Sequence, residues 1–84
     1  MLKLKEWEKV QDYASKLVQN LCFRHNLNVK SKIYTMYDNT KGISLQLFDK
    51  YNSFYTEYFS GIHNDLEGYK NSLDKCYNTL LSDI

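Results

Sequence analysis

The sequence of 84 residues has no proline and contains one alanine and one arginine. Proline and alanine have G/C-rich codons, whereas the ten lysines, eight asparagines and eight tyrosines have A/T-rich ones. This bias indicates an AT-rich genome, as in many low-GC bacteria and their phages and plasmids. The shortage of arginine also removes the side chain best suited to bidentate phosphate binding, which argues against a protein that binds duplexes.

The chain also lacks long apolar runs. None approaches the roughly 18–20 residues that a helix needs to cross a bilayer, so we expect no membrane partner. Charged and apolar side chains alternate over residues 1–6, which is unlike a signal peptide and favours a cytoplasmic location. Hydrophobic residues make up 43% of the chain and the net charge is +1, which excludes disorder and predicts one domain over residues 1–84.

Apolar side chains at helical spacing predict two amphipathic helices. The first stripe consists of Trp7, Val10, Ala14, Leu17 and Leu21. It predicts a helix over about residues 3–25 that ends at the asparagine-rich stretch 26–28. The second stripe consists of Leu66, Tyr69, Leu73, Cys76 and Leu80. We expect Asn64 to cap this helix in a capping box with Glu67, and Gly68 to mark either a close packing contact or a frayed first turn.

Between the helices, the apolar pattern changes from helical spacing to alternation. Residues 29–37 and 43–48 alternate and predict two strands, joined by a turn at 38–42 in which Gly42 suits a left-handed bulge position. A second turn is predicted at the polar residues 49–53. Residues 54–59 fit either a third strand, which their aromatic residues and threonine favour, or one face of a helix.

The predicted order is helix, three-stranded antiparallel meander, helix, in the α+β class. Each helix has one apolar stripe, so we expect both helices on the same face of the sheet. The other face is then partly exposed. It carries Lys30, Lys32, Tyr34, Met36, Ser44, Gln46 and Phe48.

This order of elements resembles that of double-stranded-RNA-binding domains in length and topology only. Those domains begin their last helix with a cluster of lysines that meets phosphates. The corresponding stretch here, residues 63–68, is acidic and would repel RNA. The resemblance therefore implies no function for this chain.

The side chains that could carry catalysis or bind a metal are few and far apart. Cys22 and His25 lie at the end of the first helix, where the helix dipole disfavours a thiolate. His63 and Cys76 are several helical turns apart, so these four residues cannot form one tetrahedral zinc site. The sequence has no paired carboxylates in a recognisable motif and no Gly-rich phosphate loop. We therefore expect a protein without catalytic activity, metal or cofactor.

Aromatic residues are the unusual feature, since eight tyrosines, four phenylalanines and one tryptophan exceed what so small a core can enclose. Tyrosine is enriched at protein interfaces and also stacks on unpaired bases. The predicted binding surface comprises Lys30, Lys32, Tyr34, Met36, Gln46, Phe48, Tyr55 and Glu57.

Charge is also unevenly distributed along the chain. Residues 1–42 contain eight Lys or Arg and four Asp or Glu, a net +4, whereas residues 43–84 contain three and six, a net −3. Our leading hypothesis is a small protein-binding domain, encoded by a phage or plasmid, that inhibits or regulates a host macromolecular machine by occupying its surface. A homodimer would also hide the surplus aromatic residues. The alternative is a nucleic-acid-binding domain that uses the lysines and rings of the exposed sheet face.

Overall fold

The computed structural model describes residues 2–84 as two helices and three strands. The elements are α1 (Leu4–Arg24), β1 (Asn28–Thr35), β2 (Lys41–Phe48), β3 (Tyr55–Phe59) and α2 (Leu66–Ser82). The predicted α+β class and the order of helix, meander and helix are confirmed. The segment 54–59, whose pattern fitted a strand or a helix, contains the third strand.

The three strands form one antiparallel sheet in the order β1-β2-β3. Lys30 pairs with Gln46 in the first ladder, and Gln46 pairs with Glu57 in the second. The central strand is therefore β2, while β1 and β3 are the two edges. Directly opposed residues of an antiparallel pair point to the same face, so these three side chains form one row across the sheet.

Asparagines provide three of the four left-handed positions among residues 2–84, and Gly61 provides the other. Asn26 has a φ of 56° and follows α1, Asn39 has a φ of 66° between β1 and β2, and Asn52 has a φ of 58° between β2 and β3. Asparagine visits this region more readily than other residues with a side chain. The expectation that Gly42 supplies a left-handed bulge is wrong, because Gly42 lies inside β2 opposite Tyr34.

Both helices pack against one face of the sheet, as their apolar stripes predict. This face contributes Val29, Ile43 and Leu45, each no more than 3% exposed. The helices contribute the remaining buried apolar residues, Trp7, Val10, Ala14, Leu21, Tyr69, Leu73, Cys76 and Leu80. Burial of this apolar surface is the main stabilising contribution to the fold, and it fixes which sheet face the helices leave uncovered.

The start of α2 is one residue later than the sequence suggests. Asp65 is the capping residue, and its carboxylate accepts a hydrogen bond of 2.7 Å from the backbone N–H of Gly68. The expected cap at Asn64, in a capping box with Glu67, is therefore wrong. A Cβ at position 68 would lie 3.0 Å from both Asp65 Oδ1 and His63 Cβ, so Gly68 marks a close packing contact.

The two helices begin at the same end of the sheet. Tyr69, in the first turn of α2, donates a hydrogen bond from its hydroxyl to the carbonyl of Lys41, the first residue of β2. Trp7, in the first turn of α1, packs edge to face against Tyr69 with 5.5 Å between ring centroids. The first turns of both helices and the β1–β2 turn therefore meet at one end of the molecule, which we call the hairpin end.

Candidate functional site

The sheet face opposite the helices is the strongest candidate for a binding surface. We call it the open face. Its residues occupy alternating positions of the three strands: Lys30, Lys32, Tyr34, Ser44, Gln46, Phe48, Tyr55, Glu57 and Phe59. The register places Lys32, Ser44 and Phe59 in one row and Lys30, Gln46 and Glu57 in the next.

Four aromatic rings occupy the two ends of the open face. Tyr34 and Phe59 pack edge to face, with 5.9 Å between ring centroids. Phe48 and Tyr55 pack at a tilt of 38°, with centroids 5.1 Å apart. Tyr55 is 50% exposed and Phe59 is 43% exposed, so both pairs present apolar area to solvent while their packing limits ring motion.

Two lysines lie over these rings. The Nζ of Lys30 is 5.1 Å from the centroid of Phe48, and the Nζ of Lys32 is 5.1 Å from the centroid of Tyr34. An ammonium group over an exposed ring is attracted by about 0.5–1 kcal/mol. The open face therefore combines apolar rings with two positive charges held close to them.

Glu57 is fixed near the centre of the open face by hydrogen bonds. Its Oε1 accepts a hydrogen bond from the Tyr34 hydroxyl and another, of 3.1 Å, from Gln46 Nε2. The hydrogen bond from Tyr34 lowers the pKa of the Glu57 carboxyl, and the same contact raises the pKa of the Tyr34 hydroxyl. Glu57 is therefore ionised at neutral pH and serves as an acceptor that ties β1 to β3 across β2.

Two residues expected to be exposed on this face are buried. Ser44 has no exposed surface and Gln46 is 7% exposed, which corrects the expectation. Both lie on the central strand, where each is flanked by longer side chains of the two edge strands. The hydrogen bond from Gln46 to Glu57 offsets the cost of burying the Gln46 amide. Ser44 Oγ has no hydrogen-bond partner among residues 2–84.

The structure brings the predicted surface residues together. Seven of the eight lie within the three strands and on the same face of the sheet. The eighth, Met36, follows Tyr34 by two positions, is 38% exposed, and bonds through its backbone N–H to Thr40 beside the β1–β2 turn. Phe59 was missed, although it lies two residues after Glu57, so alternation along β3 would have identified it.

The histidines and cysteines lie outside the open face. His63 Nε2 is 2.7 Å from the carbonyl of Ser60 and 2.9 Å from Ser72 Oγ, contacts that hold the loop before α2 in place. Cys22 and Cys76 are free thiols, and burial raises the pKa of Cys76. Within residues 2–84, no three His, Cys, Asp or Glu side chains are grouped so that they could hold a metal ion.

No helix formed by residues 2–84 combines the length and the apolar character needed to cross a membrane. Comparisons with protein-family models, with curated proteins and with solved structures found no match to this chain.

Proposed function

We propose that this chain is a non-enzymatic protein-binding domain and that its open face is the binding surface. The observation that carries the proposal is the grouping of four rings and two lysines on the sheet face that neither helix covers. A group of exposed apolar side chains rimmed by charge is typical of protein interaction sites. Rings that are already packed lose little conformational entropy when a partner binds.

The state of Glu57 supports binding over catalysis on this face. A general acid at neutral pH needs a raised pKa, whereas the hydrogen bond from Tyr34 lowers the pKa of Glu57. Both hydrogen bonds, from Tyr34 and from Gln46, fall on Oε1 and fix the orientation of the carboxylate. The acidic side chain of the open face therefore contributes structure and charge.

The same geometry favours a protein partner over a nucleic acid. Base stacking needs free ring faces, and Lys30 lies over Phe48 while Lys32 lies over Tyr34, which leaves Tyr55 and Phe59 as the rings of this face without a lysine over them. The ionised Glu57 between the two ring pairs would also repel phosphates. A protein surface can meet the exposed parts of the rings without entering between the lysines and the rings.

The charges on the open face indicate the chemistry of the partner. The carboxylate of Glu57 already accepts hydrogen bonds from Tyr34 and Gln46, whereas Lys30 and Lys32 are available at the edge strand β1. We infer a partner surface with apolar side chains at its centre and carboxylates at its rim. A second copy of this chain fits less well in the symmetric pairing that places β1 over β1, because that arrangement brings like-charged lysines together.

The finer form of the proposal is that the domain is a phage- or plasmid-encoded inhibitor or regulator that occupies a surface of a host macromolecular machine. Its support is the AT-rich codon bias of the composition together with the small size of the chain. A standard interface buries about 800 Å² on each partner, which the open face and its flanking edge strands would have to supply.

Selection from a phage-displayed random peptide library tests the binding surface. We expect enrichment of peptides that combine Asp or Glu with aromatic or aliphatic residues. Tyr55→Ala and Lys30→Glu should each lower the affinity for the selected peptides about 10-fold or more, because the first removes an exposed ring and the second reverses a charge. Phe23→Ala is the matched control, since Phe23 is 86% exposed but lies on α1.

Circular dichroism should first show that all three variants remain folded. Binding that is equally strong in Tyr55→Ala and wild type, or equally weakened in Phe23→Ala, would show that the open face is not the interface. If light scattering shows a dimer that Lys30→Glu dissociates, the partner is a second copy of this chain and not a different protein. Low-salt binding of oligonucleotides that weakens steeply as salt rises, and that needs Lys30, would favour the nucleic-acid alternative.

A further inference from the structure

A cavity of about 440 Å³ opens at the hairpin end, away from the open face. Its lining includes Trp7 from α1, Lys41 from β2, His63 from the loop before α2 and Tyr69 from α2. Small-molecule sites in proteins commonly have volumes of roughly 300–1,000 Å³ and are mostly apolar with a few polar groups. The cavity therefore has the size and composition of a site for a small organic molecule.

The aromatic residues of the cavity are held rigidly. Trp7 and Tyr69 are 6% and 3% exposed and pack edge to face. His63 packs edge to face on Tyr69, with centroids 5.0 Å apart, and its Nε2 contacts Ser60 and Ser72. The Tyr69 hydroxyl is fixed by the carbonyl of Lys41. A cavity wall of this kind is preorganised for a flat apolar ligand, which would lose little affinity to side-chain ordering.

The apolar side chains nearest to solvent support the same ligand class. Leu4 is 71% exposed and Ile62 is 42% exposed, and both line the cavity. Large aliphatic side chains that face water beside a cavity can gain burial when a ligand covers them. A hydrophobic ring system placed against Trp7 would provide that cover.

The charge of the cavity points to an anionic group on the ligand. Lys41 contributes an ammonium group, which lies 5.8 Å from the centroid of the Trp7 ring. No Asp or Glu is found among the described residues that line the cavity. Of the carboxylates at the starts of the two helices, Glu6 accepts from Lys3 N, Asp65 accepts from Gly68 N, and Glu67 does not line the cavity.

We propose that the cavity at the hairpin end binds a small aromatic carboxylate, whose rings pack against Trp7 and whose carboxylate pairs with Lys41. This site is separate from the open face and does not depend on the proposed protein-binding function. The ring system fills apolar volume, and the carboxylate stays near the cavity entrance, where the ammonium group of Lys41 can reach it.

Titration with 2-naphthoate, followed by ¹H–¹⁵N NMR, tests the site. Trp7 is the only tryptophan, so its indole N–H gives a single resolved signal that reports on the cavity wall. We expect saturable shifts of this signal and of the backbone signals of Lys41 and His63. The neutral analogue 2-naphthamide should bind about 3- to 10-fold more weakly, because it lacks the charge that Lys41 attracts.

Lys41→Met keeps an unbranched side chain over Trp7 and removes the charge. It should therefore lower the affinity for 2-naphthoate by the same factor and leave the affinity for 2-naphthamide unchanged. Lys50→Met is the matched control, because Lys50 also lies over a ring, 5.0 Å from the centroid of Tyr51, but does not line the cavity. An indole signal that does not move at about 5 mM 2-naphthoate would overturn the proposal. Equal binding of acid and amide, or shifts centred on the open face, would overturn it as well.

Discussion

The ring of Phe59 lies directly against the backbone of Gly42. A Cβ placed on Gly42 would be 2.2 Å from Phe59 Cζ, which is closer than any two carbon atoms pack, and 3.3 Å from the carbonyl oxygen of Gly61. Gly42 therefore provides the space that lets Phe59 cross the central strand and reach Tyr34. The position is a glycine because of this close approach and needs no unusual backbone conformation.

Gly42→Ala should displace the Phe59 ring and lower the free energy of unfolding by about 1 kcal/mol, within the range for overpacking in a folded protein. Phe59→Ala removes the clash. In that background only the 3.3 Å approach to the Gly61 carbonyl oxygen remains, so Gly42→Ala should cost less than it does in the wild-type chain. Urea denaturation of the four proteins of this double-mutant cycle measures the coupling. Additive effects of the two substitutions would show that the ring does not occupy this space.

Two buried serines of the sheet region should respond in opposite ways to alanine. Ser44 Oγ has no hydrogen-bond partner among residues 2–84, so Ser44→Ala should leave stability unchanged or raise it by up to about 1 kcal/mol. Ser60 Oγ accepts from Ile43 N at 3.1 Å and donates to the Gly61 carbonyl at 2.9 Å. Ser60→Ala should therefore lower stability by about 1–2 kcal/mol. Thermal unfolding followed by circular dichroism compares the two, and equal losses would contradict the assigned contacts.

Substitutions at the neighbouring residues Asn64 and Asp65 should differ in their effect on stability, because only Asp65 caps α2. Asp65→Ala removes the acceptor for the Gly68 backbone N–H and should lower the free energy of unfolding by about 0.5–2 kcal/mol. Asn64→Ala, one residue earlier, should change it by less than about 0.5 kcal/mol. Chemical denaturation of both variants checks the assignment. If Asn64→Ala lowered the free energy of unfolding more than Asp65→Ala, Asn64 would be the capping residue, as the sequence predicts.

Three tyrosines have a raised pKa in the folded chain, and Tyr13 and Tyr58, whose pKa values are raised most, should make stability fall in alkaline solution. The hydrogen bond to Asp74 raises the pKa of Tyr13 from 10.0 to about 12, and burial together with the 2.8 Å bond to Asp83 raises the pKa of Tyr58 to about 12. The folded chain therefore holds these protons more tightly than the unfolded chain does. Their stabilisation is complete below about pH 10 and is lost as the pH rises to about 12.

The melting temperature measured between about pH 9 and 12 tests this pH dependence. Tyr13→Phe should reduce the alkaline fall and lower stability at neutral pH by about 0.5–1.5 kcal/mol, the usual net value of one hydrogen bond. Tyr37→Phe is the control, because the Tyr37 side chain is fully exposed and its removal should leave the profile unchanged. An identical profile in Tyr13→Phe would mean that the contact with Asp74 has no such effect.

Alternation and apolar spacing were sufficient to predict the fold class and most of the open face. Lys30 and Gln46 were assigned to one face because the side-chain period of a strand is two, and the register confirms their placement in one row. Glu57 joins that row from β3. The same rule applied to β3, from which Tyr55 and Glu57 were assigned to this face, would have included Phe59 as well, but residues 54–59 also fitted one face of a helix.

Other features depend on three-dimensional geometry that residue types do not encode. Ser44 and Gln46 are buried on the central strand between longer side chains of both edge strands, and this depends on register and on side-chain conformers. Asn64 and Asp65 are both good capping residues, so composition alone could not choose between them. The role of Gly42 required knowing where the Phe59 ring lies.

Asn26, Asn39 and Asn52 share a left-handed backbone while remaining open to solvent. Exposed positions generally accept many substitutions, yet at these three a β-branched residue would be strained and only glycine or aspartate would be comfortable replacements. Sequence change on the polar surface is therefore restricted at these three positions, although none of them contributes to the core. Comparison of diverging copies of this gene should find these three turn positions conserved even where the neighbouring loop residues vary.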